Sequence, residues 1–139
     1  MRNSLLLGVM LFLGFLGSAF AACVDGGTPV TDVAVLLNGK TVCHGPVGNR
    51  NWQEFHTSGG GALIDYKRGP GHAVDPSETV GNWSASGGEV SYDYGNGQVF
   101  KYIIYDRSGS YDFCPVAGQG AEVSGAILVS GSNGCGDPN

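Results

Sequence analysis

Between Val80 and Cys114 the chain repeats one pattern: a short run of alternating apolar and polar residues, then a turn of Gly, Asn, Asp or Ser. The three turns are Gly87-Gly88, Gly95-Asn96-Gly97 and Asp106-Arg107-Ser108-Gly109. Glycine and asparagine tolerate the positive φ of tight hairpin turns. Runs joined this way pair with their sequence neighbours, so the segment is predicted to be a four-stranded antiparallel meander.

The same pattern extends to both sides. Strand-like runs are read at 41–44, 52–56, 62–67, 80–86, 89–94, 98–105, 110–114 and 122–130. Residues 69–76 form a longer loop broken by Pro70 and Pro76. Only one stretch looks helical: Thr31 or Asp32 can N-cap Val33-Ala34-Val35-Leu36-Leu37, with Asn38-Gly39 as the stop. The fold class is therefore all-β with one short N-terminal helix. Eight short strands of meander type favour a closed barrel, which removes exposed edges, over the alternative two-sheet β-sandwich.

Period-two alternation says which side chains share a face. Val90, Tyr92 and Tyr94 lie on one face against Ser91 and Asp93. In the next run both faces are apolar, with Val99, Ile103 and Tyr105 on one and Phe100, Tyr102 and Ile104 on the other. That strand is expected to be central, or to have its outer face covered.

The N-terminus has a different character. Arg2 is followed by an uncharged apolar run from Leu5 to Gly17, then Ser18-Ala19-Phe20-Ala21. The run is shorter than the roughly 20 apolar residues of a membrane-spanning helix. Small residues at Ala19 and Ala21 match a signal-peptidase site, so residues 1–21 are expected to be a secretory leader and 22–139 a single domain. Secretion or a periplasmic location follows. A lipid anchor on Cys23 is the competing reading, because Phe20-Ala21-Ala22-Cys23 loosely resembles a bacterial lipobox. Lipidation would leave three cysteines, an odd number for an oxidising compartment, and it is disfavoured for that reason.

Cys23, Cys43, Cys114 and Cys135 allow three pairings. Cys43 and Cys114 fall within strand-like runs, whereas Cys23 and Cys135 lie near the ends. The expectation is Cys43–Cys114 nested inside Cys23–Cys135. No C-x-x-C pair is present, which argues against zinc held by thiolates.

Outside the leader, 6 Lys and Arg face 12 Asp and Glu. Nucleic acid and anionic membranes both demand a basic face, so neither is expected as a partner.

The segments Leu37-Asn38-Gly39-Lys40-Thr41-Val42-Cys43 and Val80-Gly81-Asn82-Trp83-Ser84, followed by the 89–114 meander, resemble small bacterial lipocalin-like (calycin-type) domains. In that family an early L-x-G-x-x opens the barrel and a G-x-W strand follows. Here the Gly81/Trp83 pair lies mid-chain instead of in the first strand. The resemblance implies a barrel that holds a small ligand or a partner, and it names neither.

No sequence motif supports catalysis. There is no G-x-S-x-G elbow and no H-E-x-x-H, and paired cysteines offer no nucleophile. His44, His56 and His72 show no metal-ligand spacing, so neither a metal nor a cofactor is expected. Asp65, Asp75 and Glu78 flank the long loop, where solvated acids are commoner than a catalytic pair. Asp106–Asp112 faintly echoes a calcium loop but lacks its alternating acids and terminal Glu. The candidate ligand residues are Lys67, Arg68 and His72, a basic spot able to grip an anion, with Tyr66, Trp83, Tyr92 and Tyr102 as aromatic walls. A non-catalytic binding protein is the leading expectation. A protease inhibitor and a structural surface or matrix protein are the alternatives.

Overall fold

Eight strands close on themselves in a computed structural model that describes residues 23, 26–67, 71 and 76–136. The strands are β2 (Lys40–His44), β3 (Trp52–His56), β4 (Gly61–Asp65), β5 (Glu78–Ser86), β6 (Glu89–Asp93), β7 (Val99–Asp106), β8 (Tyr111–Pro115) and β9 (Val123–Ser130). Each pairs antiparallel with its sequence neighbour. β9 then returns to β2, with Cys43 opposite Ile127 and Lys40 opposite Ser130. This is an up-and-down barrel. The ring of hydrogen bonds excludes the sandwich, which would need two open sheets.

Two N-terminal elements complete it. The two-residue β1 (Thr28–Pro29) pairs with Tyr105 and Asp106 of β7, and Val30 N–H donates to the Ile104 carbonyl at 2.8 Å. β6 pairs with β7 only as far as Ile103, so β1 occupies the edge that β6 leaves open. The outer apolar face of β7 stays partly open, with Val99 43% and Ile103 37% exposed. The helix α1 (Val33–Leu37) is too short to be stable alone. The Asp32 carboxylate caps it by accepting from Val35 N–H at 3.1 Å, and Gly39 ends it at φ 66°. Val33 and Leu37, one turn apart, are fully buried, while Val35 on the opposite side is 73% exposed. Backbone bonds from Val33 to Gly87 and from Gly39 to His56 seat the helix over one end of the barrel.

The core starts under that helix and continues along the barrel to Tyr92 and Phe113. Val33 and Leu37 join Val42, Leu63, Trp83, Val90, Ile104 and Ala126 from the strands. Gly81 has its own packing reason. The β4–β5 register shifts between Leu63 and Ile64, and a Cβ at position 81 would overlap the Asp93 carbonyl oxygen. The glycine of the G-x-W pair lets β5 and β6 approach at that shift.

The disulfides correct the expected pairing. Cys23 bonds to Cys114 and Cys43 to Cys135, with Cα separations of 5.7 and 6.0 Å. Cys43 on β2 and Cys114 on β8 cannot meet, because β9 lies between their strands. Two strand spacings of about 4.8 Å exceed the roughly 7 Å that a disulfide spans. Each strand cysteine points outward and clamps one chain end against the barrel wall. Cys23 has thus committed its sulfur to Cys114, leaving no thiol for a lipid. The expected leader at 1–21 and most of the loop at 69–76 lie outside the described residues. Among the described residues, no helix is long and apolar enough to cross a membrane.

Candidate functional site

Along β3 the inward positions alternate as Trp52, Glu54 and His56. The barrel interior thus receives an indole, a carboxylate and an imidazole from one strand, where a filled core would take three apolar groups. Facing them from β6 and its end are Tyr92 and Tyr94, and from β7 comes Tyr102. These side chains, with Val42, Phe113 and Val123, enclose a cavity of about 50 Å³ at the end of the barrel opposite α1. That volume takes one or two water-sized groups. Pockets for drug-sized ligands run to roughly 300–1,000 Å³.

His56 sits deepest in the cluster and is 1% exposed. Its Nδ1 lies 3.2 Å from the Glu54 carbonyl, and its Nε2 lies 2.9 Å from the Tyr92 hydroxyl. A carbonyl only accepts, so Nδ1 carries the proton and Nε2 accepts from Tyr92. Burial lowers the His56 pKa to about 4, against opposing bonds to the Glu54 and Lys40 carbonyls, so the ring is neutral at physiological pH. Trp83 packs edge-on to it at 5.1 Å and donates its indole N–H to the Thr57 carbonyl at 3.2 Å.

Glu54 lies nearer the mouth. Burial, and then the charge of Asp65, its cross-strand neighbour on β4, push its pKa up to about 7. The Tyr94 hydroxyl lies 3.4 Å from both carboxylate oxygens, long for an O–H···O bond, and offsets the rise only in part. The tyrosines feel the same surroundings. Burial, with the Glu54 charge second, raises the pKa of Tyr92, Tyr94 and Tyr102, which keeps their hydroxyls protonated. The site is thus a carboxyl group among aromatic rings and phenol hydroxyls.

Of the seven residues chosen from sequence, Tyr92 and Tyr102 line this cavity. Trp83 belongs to the core at the closed end. Tyr66 lies on the opposite face of the barrel wall from the inward-facing Asp65, where it is 5% exposed and stacks on Phe55 at 6.4 Å. Lys67 is exposed, with its carbonyl accepting from the Gln53 amide at 3.1 Å. Arg68 and His72 lie outside the described residues, so the basic spot is represented by Lys67 alone, away from the cavity. Sequence reasoning missed Trp52, Glu54, His56 and Tyr94 as one group. The signal was present in the period of β3, which puts its acid and its histidine on the face of Trp52.

Among the described residues, no cluster of three or more His, Cys, Asp or Glu side chains is arranged to hold a metal ion. The side chain of Asp106 is engaged by its own hairpin turn, accepting from Ser108 N–H at 2.7 Å. On the outside, an open apolar groove of about 490 Å³ runs along β7 and β8 beside the Cys23–Cys114 bond. A shallower one of about 370 Å³ lies between α1 and β5. Compared with protein-family models, characterised proteins and solved structures, the chain matches none, and its closed eight-stranded antiparallel barrel is compatible with a lipocalin-like one.

Proposed function

We propose that this chain is an extracytoplasmic binding protein without catalytic activity, and that the open end of its barrel is the binding end. The observation behind this reading is the interior. A barrel of this size can fill itself with aliphatic side chains. Here the core runs from Val33 and Leu37 as far as Tyr92 and Phe113, and beyond it Glu54, Tyr94 and Tyr102 surround a cavity. Two disulfides and the leader expected at 1–21 suit an oxidising compartment outside the cytoplasm. The cavity volume limits what enters to a head group, with the rest of any ligand remaining at the mouth.

Native mass spectrometry of the protein purified from its source tests this reading. The expected result is an added mass that dissociates on denaturation and is absent from a Tyr92→Ala/Tyr102→Ala variant. An adduct-free spectrum, with no binding partner in a pull-down, would contradict it.

A second reading rests on a different place. The connection from Gly45 to Asn51 presents Val47, 73% exposed, on a loop braced from within. Asn51 N–H bonds to the His44 carbonyl at 2.8 Å, and the Arg50 guanidinium bonds to the Gly45 carbonyl at 2.6 Å. The Cys43–Cys135 bond anchors its base. Such a rigid loop suits a protease inhibitor, and inhibition in a protease panel that disappears in Val47→Asp would favour that reading.

A further inference from the structure

We propose that the open end of the barrel receives the ammonium head of a small organic amine, with Glu54 as its counter-ion and Trp52, Tyr92, Tyr94 and Tyr102 as its walls. This rests on the binding reading above and supplies its ligand class. Three observations combine.

The first is charge. Among the described residues Lys101 pairs with Glu89 and Arg107 with Asp112, and no cation is paired with Glu54. Its nearest donor is the long Tyr94 contact at 3.4 Å. His56 is the other ionisable group of β3 in the cavity, and it is neutral. An anionic guest would meet the Glu54 carboxylate, which no described cation pairs.

The second is the wall. Tyr92 stacks with Tyr94 at a centroid separation of 6.4 Å and meets Tyr102 edge-on at 5.9 Å. Aromatic faces attract a weakly hydrated cation, and they attract it more strongly where water is excluded. Phenol oxygens can also accept an N–H bond. A neutral apolar guest would use the rings and leave the carboxyl unmatched.

The third is size and ligand count. A cavity of about 50 Å³ fits an ammonium or methylammonium group, with an alkyl tail leaving past Trp52 and the half-exposed Tyr94. A calcium or magnesium ion wants about six or more oxygen ligands. The described residues assemble no such set.

A proton competes with the guest for Glu54, so binding should weaken in acid. The groups facing Glu54 are Asp65 from β4, Tyr94 and Tyr92 from β6, Tyr102 from β7 and the neutral His56 from β3. His44, on the neighbouring β2, packs at a tilt against Trp52 with ring centroids 5.2 Å apart.

The test is calorimetric titration of the full chain, with both disulfides formed, using n-butylammonium, n-butanol and butyrate. Trp52 fluorescence serves as a second readout. Butylammonium is expected to bind at pH 8 about tenfold or more tighter than butanol, with butyrate weaker still. The same loss, about tenfold or more, is expected on lowering the pH to 5.5 and in Glu54→Gln at pH 8. A lysine-containing tripeptide forms a further arm. Tighter binding than butylammonium would assign the ammonium to a protein side chain, weaker binding to a free amine, and both support the head group. Equal affinity for butanol in the unmodified protein would overturn the proposal, as would undiminished butylammonium binding in a folded Glu54→Gln. If butylammonium fails while native mass spectrometry shows a neutral or anionic adduct, the ammonium assignment falls and the binding reading stands. If neither binds, both fall.

Discussion

The Tyr92 hydroxyl donates to His56 Nε2 at 2.9 Å, joining β6 to β3 across the barrel interior although the two strands are not neighbours in the ring. Its partner side is fixed by the Nδ1 bond to the Glu54 carbonyl, so the imidazole has no freedom to change tautomer. Tyr92→Phe removes the only donor described for a buried acceptor. Urea denaturation should show a loss of about 1–3 kcal/mol, the range for an unsatisfied buried polar group. An unchanged midpoint would mean that the bond contributes nothing.

Glu54 and His56 give stability opposite dependences on pH. The Glu54 pKa rises from 4.5 to about 7 on folding, so the folded state holds that proton more tightly. Its favourable contribution is complete below about pH 4.5 and is lost as pH rises through 7. The His56 pKa falls from 6.5 to about 4, so its contribution is present above pH 6.5 and is lost as pH falls through 4. At 1.36 kcal/mol per unit each span is about 3 kcal/mol, and the two slopes cancel between pH 4.5 and 6.5. Denaturation midpoints are expected to be flat across that window. Glu54→Gln should expose the rising His56 slope and be more stable than the parent at pH 8, by on the order of 2 kcal/mol after screening at the mouth. A parent curve that rises through the window, with no gain at pH 8, would show that Glu54 titrates normally.

The two disulfides close loops with sequence separations of 91 and 92. In the chain-entropy model each contributes about 4 kcal/mol. Peptide mapping of the unreduced protein should recover Cys23 with Cys114 and Cys43 with Cys135. The Cys23→Ala/Cys114→Ala double variant should lose about 4 kcal/mol in a denaturant titration. Recovery of a Cys43–Cys114 peptide would require a different strand order.

Arg107 locks the N-terminal end to the barrel. Its Nε donates to Asp112 Oδ2 at 2.7 Å, its Nη2 donates to the Cys23 carbonyl at 2.7 Å, and Asp112 Oδ1 accepts from Gly125 N–H at 2.8 Å. Both side chains are largely buried, at 18% and 13% exposure. Removing one partner of such a pair strands the other, so Arg107→Ala should lose about 3 kcal/mol. Hydrogen exchange should quicken at Gly125, while amides around Trp83 on β5, across the ring from β9, stay protected. Uniform exchange over the whole barrel would show that the pair has no local role.

The strands were legible in the sequence because period-two alternation and Gly-Gly, Gly-Asn-Gly and Ser-Gly turns are local signals. The helix Val33–Leu37 was read to the residue for the same reason, and of its two candidate caps, Thr31 and Asp32, the structure uses Asp32. What failed was non-local. The disulfide pairing depends on β9 coming between β2 and β8, and that order is set by barrel closure, which no local pattern encodes. The site was half legible. Tyr92 and Tyr102 were chosen as aromatics, but Lys67, Arg68 and His72 drew attention because basic residues stand out in an acidic chain. Glu54 was overlooked for the converse reason, as one acid among 12. Its character comes from burial beside Asp65 and Tyr94, which only the closed barrel produces.

The most direct test of the binding end is residue-resolved. Backbone and tyrosine ring resonances of the full, oxidised chain would be followed by NMR while the ligand mixture released from the source-purified protein is added back. The account predicts shifts confined to Trp52, Glu54, Tyr92, Tyr94, Tyr102 and their neighbours, with the α1 end unmoved. Shifts along the outer groove of β7 and β8, with the interior silent, would contradict it.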